Sequence, residues 1–161
     1  MAPWSRRSQK IPQREFAPGE LFFPFALPVI SIADDGTLAA YRSPEGLVTI
    51  SGATAERGEA PQVRIVEASL RTWRPARLVA VCDTGKRLFG RSVLFAQLEF
   101  REETKLDMAA LRAAVVDAIE NDPDDLWDQI HPHDVLKARA RRAASFDDLV
   151  HVVADLGGHG G

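Results

Sequence analysis

Two kinds of residue pattern are nearly absent from this sequence: paired cysteines and long apolar runs. Cys82 is the only cysteine among the 161 residues, so no disulfide can form within the chain. It lies in the apolar run 78–82, where a small hydrophobic side chain is expected to be buried. No segment reaches the roughly 18 continuous apolar residues that a membrane helix requires. We therefore expect a soluble protein with no membrane partner, suited to the reducing cytoplasm.

The chain also lacks an excess of charge of one sign. The net charge is -3, which favours neither nucleic acid nor an acidic membrane surface as a general partner. Charged residues make up 27% and hydrophobic residues 45% of the chain. These values are typical of a folded globular domain and argue against disorder of the whole chain.

Recognisable catalytic motifs are missing as well. The sequence contains no glycine-rich phosphate loop, no serine elbow and no paired-cysteine metal motif. Residues 34–37 (Asp-Asp-Gly-Thr) are similar to the first motif of haloacid-dehalogenase-like phosphatases, but Ala33 stands where that motif needs its nucleophilic aspartate. A hairpin turn is the better interpretation. An enzyme hypothesis is left without a nucleophile or a base, and we expect no cofactor.

The two ends of the chain differ in composition from its middle. Residues 1–19 carry four basic residues and three prolines with little periodicity, which is typical of an extended basic arm. We expect a single domain over 20–157 and a flexible glycine-rich tail over 158–161. A twin-arginine export signal is an alternative for the arm, because Arg6 and Arg7 precede an apolar stretch. Glu20 and Pro24 argue against it, so we expect a cytoplasmic protein.

Residues 29–101 predict an antiparallel sheet of about five strands. Short apolar runs alternate with turn residues, and in 92–100 apolar and polar side chains alternate with a period of two. Strand segments are expected at 29–32, 37–41, 47–51, 63–68, 77–82 and 92–100. Turns, breaks or loops are expected at 34–36, 43–46, 52–61, 74–75 and 83–86.

After Arg101 the apolar period changes from two to 3.6, which predicts helices. Asp107 is a candidate N-cap for the first of them, and Asp122-Pro123 is a strong signal for a helix start. Further helices are expected over 134–144 and from Ser145. Strands followed by helices predict an α+β fold, with three to four C-terminal helices packed on one face of the sheet.

A short cluster of histidine and aspartate residues could bind a metal. His131, His133 and Asp134 offer ligand types within four positions, which supports an alternative function as a metal-dependent hydrolase. Helical ligand pairs usually lie at i, i+4, and this spacing differs. The start of a helix is the simpler interpretation, so we assign no metal site.

An acidic segment around Trp127 is the main candidate for binding. Seven carboxylates occur between 117 and 134, with no lysine or arginine among them. They are Asp117, Glu120, Asp122, Asp124, Asp125, Asp128 and Asp134. Compensation of helix dipoles would explain such a pattern, and so would an acidic docking surface with an aromatic anchor. The residues predicted to bind a protein partner are Asp122, Asp124, Asp125, Trp127, Asp128 and Asp134.

Three segments with turn residues share a recognisable order along the chain: residues 34–38 (Asp-Asp-Gly-Thr-Leu), 41–45 (Tyr-Arg-Ser-Pro-Glu) and 83–88 (Asp-Thr-Gly-Lys-Arg-Leu). Together they resemble small bacterial immunity proteins that accompany polymorphic or contact-delivered toxins. The resemblance covers roughly residues 29–90. It implies tight, non-catalytic binding of a cognate toxin whose active site is occluded, and it carries over no site residues. A nucleic-acid-associated accessory role, using the basic arm and the Arg139–Arg142 run, is a further alternative.

Overall fold

The computed structural model describes residues 21, 23–88, 91–121 and 132–156. The fold is α+β, with a six-stranded antiparallel sheet and helices that lie mostly toward the C-terminus. The predicted fold class is therefore confirmed. Among the helices of these residues, none combines the length and the apolar content of a membrane span.

The sheet has the strand order β2-β1-β4-β5-β6-β3. Its strands are β1 (Val29–Ala33), β2 (Leu38–Tyr41), β3 (Thr49–Ser51), β4 (Val63–Glu67), β5 (Thr72–Leu88) and β6 (Arg91–Glu103). The helices of the described ranges are α1 (Pro44–Val48), α2 (Gly52–Arg57), α3 (Met108–Glu120), α4 (His133–Arg142) and α5 (Phe146–Leu156).

The hairpin predicted at the Asp-Asp-Gly turn joins β1 to β2. The Ala33 N–H donates to the Thr37 carbonyl at 2.9 Å, and Ile32 pairs with Leu38. Gly36 has a φ of 92°, which an L side chain rarely adopts. Asp35 accepts the Thr37 N–H at 2.9 Å, and this bond holds the pKa of the carboxyl below its ordinary value. This segment is a turn, as expected.

Two predictions between residues 43 and 61 are wrong. The break at 43–46 is the start of α1, because Ser43 takes the N-cap position and Pro44 is well suited to the first turn of a helix. The expected strand 47–51 is consequently reduced to β3. The expected loop 52–61 contains α2, which ends at Arg57. Gly58 follows the helix with a φ of 67°, and its N–H donates to the Ala55 carbonyl at 3.0 Å.

The strand expected over 77–82 is much longer, since β5 includes both the 74–75 break and the 83–86 turn. Thr72 and Trp73 are the residues of β5 that pair with β4, and Pro75 lies beyond them. The N–H that proline lacks is therefore not needed for this pairing. Residues 83–85 do form a local turn within β5: Gly85 has a φ of 75°, and its N–H donates to the Asp83 side chain at 2.8 Å. It does not end the strand.

The described residues form two compact units. One takes residues up to Pro24 with Ser43–Gln62 and Pro75–Arg101, and the other takes Phe25–Arg42, Val63–Arg74 and residues from Glu102 onward. In the first unit, β6 alternates as predicted, with Ala96 and Leu98 buried in its core and Glu99 exposed. Cys82 is buried beside Ala80, as expected.

The second unit contains the larger core. Ile30, Leu38 and Val66 of its strands pack against the apolar faces of α3, α4 and α5. Fully buried side chains include Leu111, Val115, Ile119, Leu136, Leu149 and Val150. This arrangement places the helices on one face of the strands of this unit and fixes the orientation of α3 and α4 within it.

Candidate functional site

The C-terminal end of α3 presents two carboxylates to solvent. Asp107 caps the helix as predicted, accepting the Ala110 N–H at 2.7 Å. The stripe that includes Val115 and Ile119 is buried, so the 3.6-residue period turns Asp117 and Glu120 outward. Both carboxylates are exposed.

The first turn of α4 exposes an acidic and an apolar residue. Leu136 and Ala140 are completely buried, and this anchors the helix in the core of the second unit. Asp134, which precedes the buried face, has a side chain that is 97% exposed. Val135 is 52% exposed and is the one large hydrophobic residue exposed among those described.

Lys137 connects the two helices. Its Nζ lies 3.6 Å from Glu120 Oε1 and 3.4 Å from Asp134 Oδ1. The lysine side chain is only 20% exposed, whereas the two carboxylates that it contacts are much more open. We call the surface formed by Asp117, Glu120, Asp134, Val135 and Lys137 the α3–α4 acidic surface. It holds three carboxylates against one ammonium group, so it remains acidic.

Of the six residues predicted to bind a partner, the structure places only Asp134. Asp122, Asp124, Asp125, Trp127 and Asp128 lie outside the described residues, as does the helix start predicted at Asp122-Pro123. Val135 and Lys137 were missed by the sequence prediction. The i, i+3 spacing of Asp134 and Lys137 is the signal that could have found the lysine.

The structure gives the metal alternative little support. His133 and Asp134 are consecutive residues on α4, and such side chains do not face each other on a helix. The first is half-buried and the second is open to solvent. His131 lies outside the described residues. Within residues 21, 23–88, 91–121 and 132–156, no group of three histidine, cysteine or acidic side chains is placed to hold a metal ion.

The Arg139–Arg142 run is not a uniform basic patch. Arg139 Nη1 lies 2.6 Å from Asp155 Oδ2, so its charge is compensated by α5. Arg142 Nε donates to the Ala138 carbonyl at 3.3 Å, and Arg141 is exposed. A phosphate backbone would also meet the Asp155 carboxylate here, and this arrangement therefore does not favour the nucleic-acid alternative.

Another guanidinium of the second unit contacts two carboxylates at once. Arg74 donates to Asp34 at 3.1 Å and to Glu103 at 3.0 Å, and its hydrogen bond to Glu103 is the main cause of its raised pKa. Asp34, which belongs to the phosphatase-like segment, thus has a structural partner. No local sequence pattern predicts the pairing of Arg74 with Glu103 and Asp34, because the partners are 29 and 40 positions apart in sequence.

Comparison with protein-family models finds no match, and comparisons with curated proteins and with solved structures find no similar chain.

Proposed function

We propose that this chain is a non-catalytic binding protein of the immunity type, which neutralises a cognate toxin by occluding its active site. The observation that carries the proposal is the exposure of two neighbouring residues in the first turn of α4. The Asp134 side chain is 97% exposed, and Val135 is the one large hydrophobic residue exposed in the described ranges. Protein interfaces commonly combine an apolar contact with charged groups around it.

The charge of the α3–α4 acidic surface indicates the chemistry of the partner. Three carboxylates against one ammonium group favour a partner with a basic cleft, such as one that holds a polyanionic substrate. Lys137 is 20% exposed, whereas the Glu120 and Asp134 side chains are 48% and 97% exposed, so an approaching protein meets mainly negative charge. Electrostatic attraction of this kind accelerates association and weakens as salt is added.

Association kinetics test the proposal. The protein tested as partner is the one encoded by the gene adjacent to that of this chain, and the variants are Asp134→Lys and the triple charge reversal of Asp124, Asp125 and Asp128. Glu59→Lys is the matched control, because Glu59 is an exposed carboxylate of the other unit. We expect the first two variants to slow association severalfold and to flatten its dependence on salt, whereas the control leaves both unchanged.

A toxicity assay completes the test. Cells that express the neighbouring protein should survive when they also express this chain, and survival should fall with Asp134→Lys and with the triple charge reversal. If the charge-reversal variants associate as fast as the native chain, the acidic surface does not bind the partner. Failure of the two proteins to form a complex at low salt contradicts the proposed function itself.

A further inference from the structure

A groove of about 480 Å³ is lined by residues of α4, of α5 and of the connection between them, and it includes no residue of the α3–α4 acidic surface. This volume lies within the range of about 300–1,000 Å³ that is usual for small-molecule sites. Ala143 and Val152, both buried, supply an apolar part of the lining. The groove belongs entirely to the second unit.

Four charged side chains in this groove fall into two classes. Arg139 and Asp155 pair with each other at 2.6 Å and leave no net charge. Arg142 and Asp148 also line the groove, but they form no ion pair with each other or with another described residue. The contacts of Arg142 and Asp148 are with the backbone, at the Ala138 carbonyl and the Ala144 N–H respectively.

Arg142 contacts the end of α4 through Nε alone, at the Ala138 carbonyl. The carbonyl of Ala143, directly after the helix, accepts a hydrogen bond from Arg112 Nη1 of α3 at 3.0 Å. A cation from another helix therefore already lies at this negative helix end. His151, the other basic group in the lining, lies 3.3 Å from Asp147 of its own helix. The Nη groups of Arg142 remain available to a ligand.

We propose that this groove binds a small zwitterion with an apolar side chain, namely a free amino acid or a dipeptide. The ligand carboxylate binds the Arg142 guanidinium, since the planar fork of donors matches a carboxylate. The ligand ammonium group binds the Asp148 carboxylate, and the apolar side chain of the ligand lies against Val152. The inference goes beyond the protein-binding role, because it concerns a different surface and a different class of ligand.

Calorimetric titration of the full chain with the dipeptide alanyl-leucine tests this site. Two analogues each lack one charge: the N-acetylated dipeptide and the C-terminal amide. The variants are Arg142→Gln and Asp148→Asn, and the second keeps an acceptor for the Ala144 N–H. Arg141→Gln is the matched control, because Arg141 is an exposed neighbour on α4 that does not line the groove.

We expect the dipeptide to bind the native chain, and each analogue and each groove variant to weaken binding at least about tenfold, since a charged hydrogen bond is lost. The control should bind like the native chain. Absence of binding at millimolar dipeptide overturns the proposal, and so does equal binding of the singly charged analogues. If a groove variant fails to fold, the analogue series with the native chain decides the question.

Discussion

Arg71 holds the carboxylate of Glu102 through two parallel hydrogen bonds, Nε to Oε1 at 3.0 Å and Nη2 to Oε2 at 2.8 Å. The same guanidinium lies 5.1 Å from the centroid of the Trp73 ring, within the range of a cation–π contact. The hydrogen bonds raise the pKa of Arg71 and lower that of Glu102 below its ordinary value of 4.5.

The Arg71–Glu102 pair predicts an acid-sensitive part of the stability. A carboxyl whose pKa is lower in the folded than in the unfolded chain stabilises the fold above its unfolded pKa, and this stability is lost as the pH falls through the folded pKa. The difference in unfolding free energy between the native chain and Glu102→Gln should be largest at neutral pH and shrink below pH 4.5. Urea unfolding at a series of pH values measures it. A difference that stays constant in acid contradicts the assignment.

Tyr41 provides a second titration with a single reporter, because it is the only tyrosine in the chain. Burial raises its pKa above the ordinary value of 10.0. The ultraviolet absorbance of tyrosinate should appear with one midpoint above pH 10 in the folded chain and at a lower pH in denaturant. Stability should fall as the pH rises past 10, since the unfolded chain then ionises more readily. Tyr41→Phe removes the signal, and a folded-state midpoint no higher than that of the denatured chain would be inconsistent with burial.

The N-cap of α3 predicts a modest loss of stability on substitution. Asp107→Ala removes the acceptor for the Ala110 N–H and should cost about 1 kcal/mol of unfolding free energy. Asp107→Asn keeps an acceptor and should cost less. Asp117→Ala, at an exposed position of the same helix, serves as the control for loss of a carboxylate alone. Equal effects of the two alanine variants in chemical unfolding would show that the cap contributes nothing specific.

The elements that the sequence predicts well are those with a strong local pattern. The apolar stripe of α3 follows the helical period for thirteen residues, and Asp107 marks its start. The helices α1 and α2 were missed, since they span five and six residues, fewer than two turns of helix. At such lengths Pro44 at a first turn and Gly58 at a helix end are easily interpreted as breaks.

The remaining differences depend on contacts between distant residues. Asp83 and Gly85 form a local turn bond, but the strand continues past it to Leu88. Lys137 belongs to a basic run in sequence, yet the packing of α4 on α3 brings it to Glu120. A linear scan of charge cannot reveal such a contact, because 17 residues separate the two positions. The acidic surface is therefore less negative than its sequence suggests.

Leu149 and Val135 give the last prediction, which separates core packing from surface exposure. Leu149 is completely buried in the core of the second unit, so Leu149→Ala should cost about 2–5 kcal/mol of unfolding free energy. Val135→Ala should change it by no more than about 0.5 kcal/mol, since the side chain is 52% exposed. Thermal and chemical unfolding of both variants measure the contrast. A large loss of unfolding free energy in Val135→Ala would show that this side chain is packed in the folded chain. The α3–α4 acidic surface would then lack the exposed apolar residue on which docking of a partner depends.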